Sequence, residues 1–148
     1  MSASCEPTIR PPIPEDAEAI ARLSNQLGYP STEEESAQRL CEVVRQSSHA
    51  VYVAECDGRL IGWVHVYVNH SLLADMPAEV AGLVVDENHR GRGLGRVLME
   101  QVERWAKEQG CRSVRLRSNV LRSRAHVFYE RLGYRVIKSQ KAFCKDLG

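Results

Sequence analysis

"VVDENHRGRGLGR", Val84 to Arg96, places three glycines and three arginines within the seven residues 90–96, directly after a β-branched apolar run. It leads into "VLMEQVERWAKEQG", where Val97, Leu98, Val102, Trp105 and Ala106 recur at helical spacing before Gly110. A buried strand, a glycine turn and an amphipathic helix therefore follow one another without a gap. The N–H groups at a helix start are unpaired and sit at the positive end of its dipole, so such a turn is suited to a phosphate. Arg90, Arg92 and Arg96 add positive charge to it.

Two common phosphate loops do not fit. GxxxxGK[ST] fails because no Lys-Ser/Thr pair follows, and GxGxxG fails because Gly91, Gly93 and Gly95 alternate singly. What fits is R-x-x-G-x-G, here Arg90-Gly91-Arg92-Gly93-Leu94-Gly95.

Upstream, "EVAGLVVD" reads as a strand apolar enough for burial on both faces, and Gly82 within it marks a bulge or a close backbone approach. Before that, "HAVYVAEC" and "LIGWVHVYV" flank an Asp-Gly hairpin turn. "TIR" is a short strand. "PEDAEAIARLSNQLG" carries Ala17, Ile20, Leu23 and Leu27 inward between Pro14 and Gly28. In "STEEESAQRLCEVVRQ", Thr32 and Glu35 can form a capping box, with Ala37, Leu40, Cys41 and Val44 as the apolar face.

Downstream, "SVRLRS" predicts a strand, "SRAHVFYERLG" a helix, and "YRVIKS" and "KAFCKD" two closing strands. The expected fold is α/β (α+β), with a mixed sheet of about six to seven strands, four helices and the order β-α-α-β-β-β-α-β-α-β-β.

The chain of 148 residues, 43% hydrophobic and 26% charged, suffices for one domain over 1–148, with residues 1–7 expected to be a poorly ordered tail. Twenty basic and nineteen acidic residues leave a net charge of +1, which gives no reason to expect a nucleic-acid or membrane partner. The arginines at 112, 115, 117, 122 and 124 form a second basic cluster, but no aromatic residues interleave with it. The five cysteines show no metal-ligand spacing and read as reduced thiols, and no signal peptide or membrane span is present, so a cytoplasmic protein without a metal is expected.

A second motif, "AHVFYERLGY" from Ala125 to Tyr134, matches A-x-x-F-Y-E-x-x-G-[FY]. Together with the glycine turn and the element order, it resembles the GNAT superfamily of acetyl-CoA-dependent N-acetyltransferases over nearly the whole chain. The resemblance implies that acetyl-CoA, released as CoA, lies along Leu83, Val84 and Val85 with its pyrophosphate on Arg90–Arg96, and that Asn119, Arg124 and Tyr129 also contact it. The Leu83 N–H would polarise the thioester carbonyl. The resemblance also implies that Asn119 would bond the pantetheine or cap the next helix, while Arg122 stands where many relatives have asparagine.

Tyr129, a phenol of pKa ~10, is the expected general acid for the departing thiolate. Glu79, at the start of the central strand and on the face of Leu83 by period-two alternation, is the expected base, although many relatives carry an acidic residue where this chain has Ala81. His65, His70 and His126 form neither a triad nor a metal site and read as packing or surface residues. Tyr29, Glu33, Asp75 and Glu79 are the expected contacts to a small cationic amine of aminoglycoside, polyamine or amino-acid type. The alternatives are a protein N-terminal or lysine acetyltransferase and a catalytically silent acyl-CoA sensor. The resemblance further implies a homodimer.

Overall fold

The computed structural model describes residues 5–73, 75–117 and 123–148. The chain divides into two compact units, Met1–Arg117 and Ser118–Gly148.

The first unit is built on a sheet in the order β1-β2-β3-β4-β5, comprising β1 (Thr8–Arg10), β2 (His49–Cys56), β3 (Arg59–Val68), β4 (Ala78–Val85) and β5 (Val114–Leu116). Successive strands are antiparallel except the last pair, which is parallel. The Asp-Gly turn joins β2 to β3 as expected, with Asp57 at φ 52° and Gly58 at φ 76°.

Helices cover both faces. Along α3 (Leu94–Glu108), Leu94, Leu98, Val102, Trp105 and Ala106 pack on Val64, Val66, Val68 and Ala78. The other face meets α1 (Ala17–Leu27), where Ile20 and Leu23 pack on Val53, Leu60 and Val84. The capping box of α2 (Glu33–Val44) forms as read: Glu35 N–H donates to Thr32 Oγ1 at 3.0 Å and Thr32 N–H to Glu35 Oε1 at 2.9 Å. Its buried stripe differs from the expected one. Ser36 is buried and Leu40 and Val43 half-buried, whereas Ala37, Cys41 and Val44 face solvent.

The second unit holds α4 (Ser123–Arg131). It ends at Gly133 with Tyr134 N–H on Tyr129 C=O and Gly133 N–H on Glu130 C=O, both at 3.0 Å.

Two expectations are corrected. The segments 134–139 and 141–146 contain no strand, and Val136, Ile137 and Phe143 are exposed there, so the described residues hold five strands and not six or seven. Alternating side chains give strand potential, but a strand exists only through a ladder partner, which these segments lack among the described residues. Secondly, Cys5 and Cys56 are joined by a disulfide, with Cα atoms 5.8 Å apart. The register Thr8↔Glu55 brings the residues before β1 beside the end of β2, a proximity that sequence spacing alone did not reveal. Reduced thiols remain at Cys41, Cys111 and Cys144. No helix among the described residues is long and apolar enough to cross a membrane.

Candidate active site

The entrance to the glycine turn is tied to α1. Asp86, 1% exposed, accepts from Asn88 N–H at 3.2 Å and Gln26 Nε2 at 3.4 Å, and lies 3.6 Å from Arg22 and 3.7 Å from His89. Burial pushes its carboxyl up, but those bonds and the charges of His89 and Arg22 together hold it below the usual range.

Beyond it, Gly91 and Gly93 adopt φ of 80° and 83°. A Cβ on Gly93 would meet nothing within 4 Å, so backbone conformation and not space demands glycine here. Gly93 caps α3 without a side-chain bond, and the first turn of α3 contains no acidic residue. The helical bond from Val97 N–H to Gly93 C=O, 3.1 Å, leaves the N–H groups of Leu94, Gly95 and Arg96 without intrahelical acceptors. Arg90, Arg92 and Arg96 are exposed and in no ion pair among the described residues. An open cleft runs between Arg92, Gly93 and Val97 on one side and Cys5, Glu6 and Pro7 on the other.

Strand β4 presents backbone toward the same end. It pairs with β5 through Ala78–Val80 alone. Asp86 N–H donates to Ile61 C=O at 2.8 Å, which marks a hydrogen-bonded pair just past the end of β4. Alternation along the antiparallel ladder then makes Val85↔Gly62 and Leu83↔Val64 non-hydrogen-bonded pairs. The N–H and C=O groups of Leu83 and Val85 consequently point away from β3. The Val85 carbonyl is met by Arg90 Nε at 3.2 Å.

The expected irregularity at Gly82 is present, and it changes the position of Glu79. The register runs His65↔Gly82, Val66↔Val80 and Tyr67↔Glu79, so Ala81 is the extra residue of a bulge. Leu83 packs with the α3-side core. Glu79 has been turned to the opposite face, contrary to the alternation argument that put the two together, because the bulge resets the parity of the strand. Gly82 is also a close approach: a Cβ there would lie 2.9 Å from the Trp63 ring.

On that opposite face Glu79 is not alone. Tyr67 Oη donates to Glu79 Oε2 at 3.2 Å, and Asn69 Nδ2 donates to Oε1 at 2.9 Å. The Tyr67 ring stacks on His49 with centroids 5.2 Å apart, and His49 Nδ1 lies 2.9 Å from His65 Nε2. None of His49, Tyr67 and Asn69 was singled out from the sequence. The alternating "HVYV" was the available signal, but assigning Tyr67 to Glu79 required the bulge to be located.

Burial, and secondarily the charge of His49, push the His65 pKa down to about 4. A histidine held neutral in the fold and titrating near 6.5 when unfolded favours unfolding as pH falls between those values. We expect stability to be full above pH ~6.5 and to drop by of order 2 kcal/mol on descending to pH ~4, allowing for partial solvent access. Denaturant unfolding of the parent and of His65→Gln across this range checks it; an identical slope in both would assign the loss to other groups.

The remaining expected residues are dispersed. Tyr29 is exposed on the α1–α2 connection, Glu33 at the first position of α2, and Asp75 on the β3–β4 connection. Arg124 is exposed in the first turn of α4. Tyr129, in the second unit, packs edge-on to Phe128 at 5.0 Å and to Tyr134 at 6.1 Å. Asn119 and Arg122 lie outside the described residues. His70 is exposed, as read.

Residues 17–134 match the acetyltransferase (GNAT) family. The chain is 29% identical over 133 residues to the aminoglycoside N(6')-acetyltransferase type 1 of Stenotrophomonas maltophilia, 86% of each chain being covered. It is 31% identical over 94 residues to an uncharacterized N-acetyltransferase of Methanocaldococcus jannaschii, covering 62% of this chain but only 42% of that longer protein. Among solved structures, aminoglycoside N-acetyltransferase AAC(6')-Iy in complex with CoA superposes with a TM-score of 0.87 at 19% identity, over 98% of both chains.

Proposed function

The chain belongs to the acetyltransferase (GNAT) family, and from that premise we propose that it transfers the acetyl group of acetyl-CoA to a primary amine of a small cationic acceptor of aminoglycoside type, as one domain over 1–148. The observation that carries this is the outward-turned backbone of Leu83 and Val85 running into the uncapped start of α3. An extended chain bearing amides can pair with the first, and a pyrophosphate suits the second. The residues present thus fit the cofactor: Leu83–Val85 would hold its amide arm, and Arg90–Arg96 its phosphates, with Asn119 and Arg124 assigned by resemblance. Bound there, acetyl-CoA supplies an activated thioester.

The chemistry left to the protein is proton management and charge stabilisation. The Leu83 N–H would stabilise the developing oxyanion. Glu79, directly or through one water, would take a proton from the acceptor ammonium and so free the lone pair for attack. As the C–N bond formed and the C–S bond broke, nitrogen would shed its second proton to water, and Tyr129 would protonate the thiolate, whose thiol has a pKa of ~8.5 on the cysteine scale, and regain its own proton from solvent, so that one net proton is released. The exposed Tyr29, Glu33 and Asp75 are assigned to the acceptor. The aminoglycoside class is supported by the relative matched over 86% of each chain.

Release of free CoA across a panel of aminoglycosides, polyamines, amino acids and lysine- or amine-terminated peptides tests the reading. Turnover with aminoglycosides is expected. Turnover with peptides alone would make the protein a protein acetyltransferase, and acetyl-CoA binding without any turnover would make it a sensor.

At the turn, Gly93→Val forces a β-branched residue to φ 83°, a conformation that costs such residues roughly 1–2 kcal/mol. The local backbone should rearrange and acetyl-CoA affinity fall at least ~10-fold by calorimetry, the fold being retained by circular dichroism. Unchanged affinity would remove the turn from the cofactor site.

We also propose a homodimer. The exposed Val136, Ile137 and Phe143 lie in segments of strand-like pattern that have no ladder partner among the described residues, which favours closure by a second copy. Sedimentation at micromolar concentration should give twice the chain mass, and a monomer mass would reject the proposal.

A further inference from the structure

The geometry points to Tyr67 and Asn69 as positioning residues that fix the Glu79 carboxylate from the neighbouring strand. This rests on the reading of Glu79 as the base. Glutamate has three rotatable side-chain bonds, and a carboxylate that must meet one ammonium proton works only while its direction is held. Here each oxygen has its own donor: Tyr67 Oη at 3.2 Å on Oε2 and Asn69 Nδ2 at 2.9 Å on Oε1. A carboxylate offers about four acceptor sites, so one on each oxygen remains for an acceptor ammonium or a water.

Both donors are anchored in their turn. Tyr67 lies directly opposite Glu79 in the register, a placement that exists because Ala81 bulges. Its ring is stacked at 17° on His49, and the His49 ring is held by its bond to His65. Asn69, one residue beyond β3, is pinned by its own N–H on Pro77 C=O at 2.9 Å. Burial, then the charge of Glu79 and the hydrogen bond to it, push the Tyr67 phenol above its usual pKa. It therefore stays a donor through neutral pH and does not compete as a base. Two donors, one on β3 and one just past its end, thus converge on one carboxylate that the bulge has taken out of the α3-side core.

The test is a double-mutant cycle in the full chain, with kcat for the best acceptor and KM for acetyl-CoA measured separately. Tyr67→Phe keeps the ring and its stacking and removes the donor. It should lower kcat about ten-fold while leaving KM for acetyl-CoA within about two-fold. Asn69→Asp keeps the backbone bond but sets a second carboxylate against Glu79, and should lower kcat further. In a Glu79→Gln background, Tyr67→Phe should change kcat less than about two-fold, because nothing remains to be positioned. Parent-like kcat in Tyr67→Phe, or an equal loss in the Glu79→Gln background, overturns the inference while leaving Glu79 as base. Parent-like kcat in Glu79→Gln alone overturns both readings.

Discussion

Glu79→Gln lowers kcat for acetyl transfer by about 10²- to 10⁴-fold, the range one general base supplies, with acetyl-CoA affinity unchanged. The physical case is the protonation state of the acceptor: a primary amine is mostly ammonium at neutral pH and has no lone pair with which to attack. Glutamine keeps the size of the side chain and can still meet Tyr67 and Asn69, but it cannot accept the proton. The deficit should shrink as pH rises and more of the acceptor is free amine, because the missing step is then performed by solvent. A pH–rate comparison of parent and variant, at saturating acetyl-CoA, separates this from general damage. A deficit independent of pH, or none at all, would take the base role away from Glu79.

Tyr129→Phe should reduce kcat by about ten- to a thousand-fold, at cofactor affinity and melting temperature close to the parent. Phenylalanine preserves the edge-on packing with Phe128 and Tyr134, so what is lost is the hydroxyl and its interaction with developing charge on sulfur. An acceptor whose chemical step limits the rate must be used, since slow product release would hide the effect. Equal kcat would return Tyr129 to a packing role, as would a change confined to melting temperature.

Local signals carried most of the fold. The Asp-Gly hairpin, the Thr32–Glu35 capping box and the apolar stripe of α3 each depend on a few neighbouring residues, and each is found where the sequence put it. The glycine turn was legible for the same reason, being one short run between a strand and a helix. What failed was what depends on partners distant in sequence. The segments after Tyr134 have the pattern of strands but no ladder among the described residues. Cys5 and Cys56 are brought together by the pairing of β1 with β2 across 51 positions. The surroundings of Glu79 belong to the same class. Gly82 announced an irregularity, but which residue was extra, and so which way Glu79 faced, was decided by pairing with β3.

Ala81 gives that strand an unusual kind of sensitivity. Its side chain is exposed and small, so many substitutions there should pass unnoticed. What matters is whether it enters the ladder. Removing this one position would leave Val66↔Val80 and Tyr67↔Glu79 paired as they are and make β4 a regular strand with Glu79 still beside Tyr67. A regular ladder that kept Ala81 would instead pair Val66 with Ala81, shift every earlier residue by one, and carry Glu79 into the apolar layer beneath α3. The position thus tolerates changes of letter, and even removal, but not being taken into the ladder. In aligning this chain with its relatives, a relative one residue shorter here keeps its carboxylate on this face only when the gap is set at the bulge, so the place of the gap carries more chemical information than a mismatch at Ala81 itself.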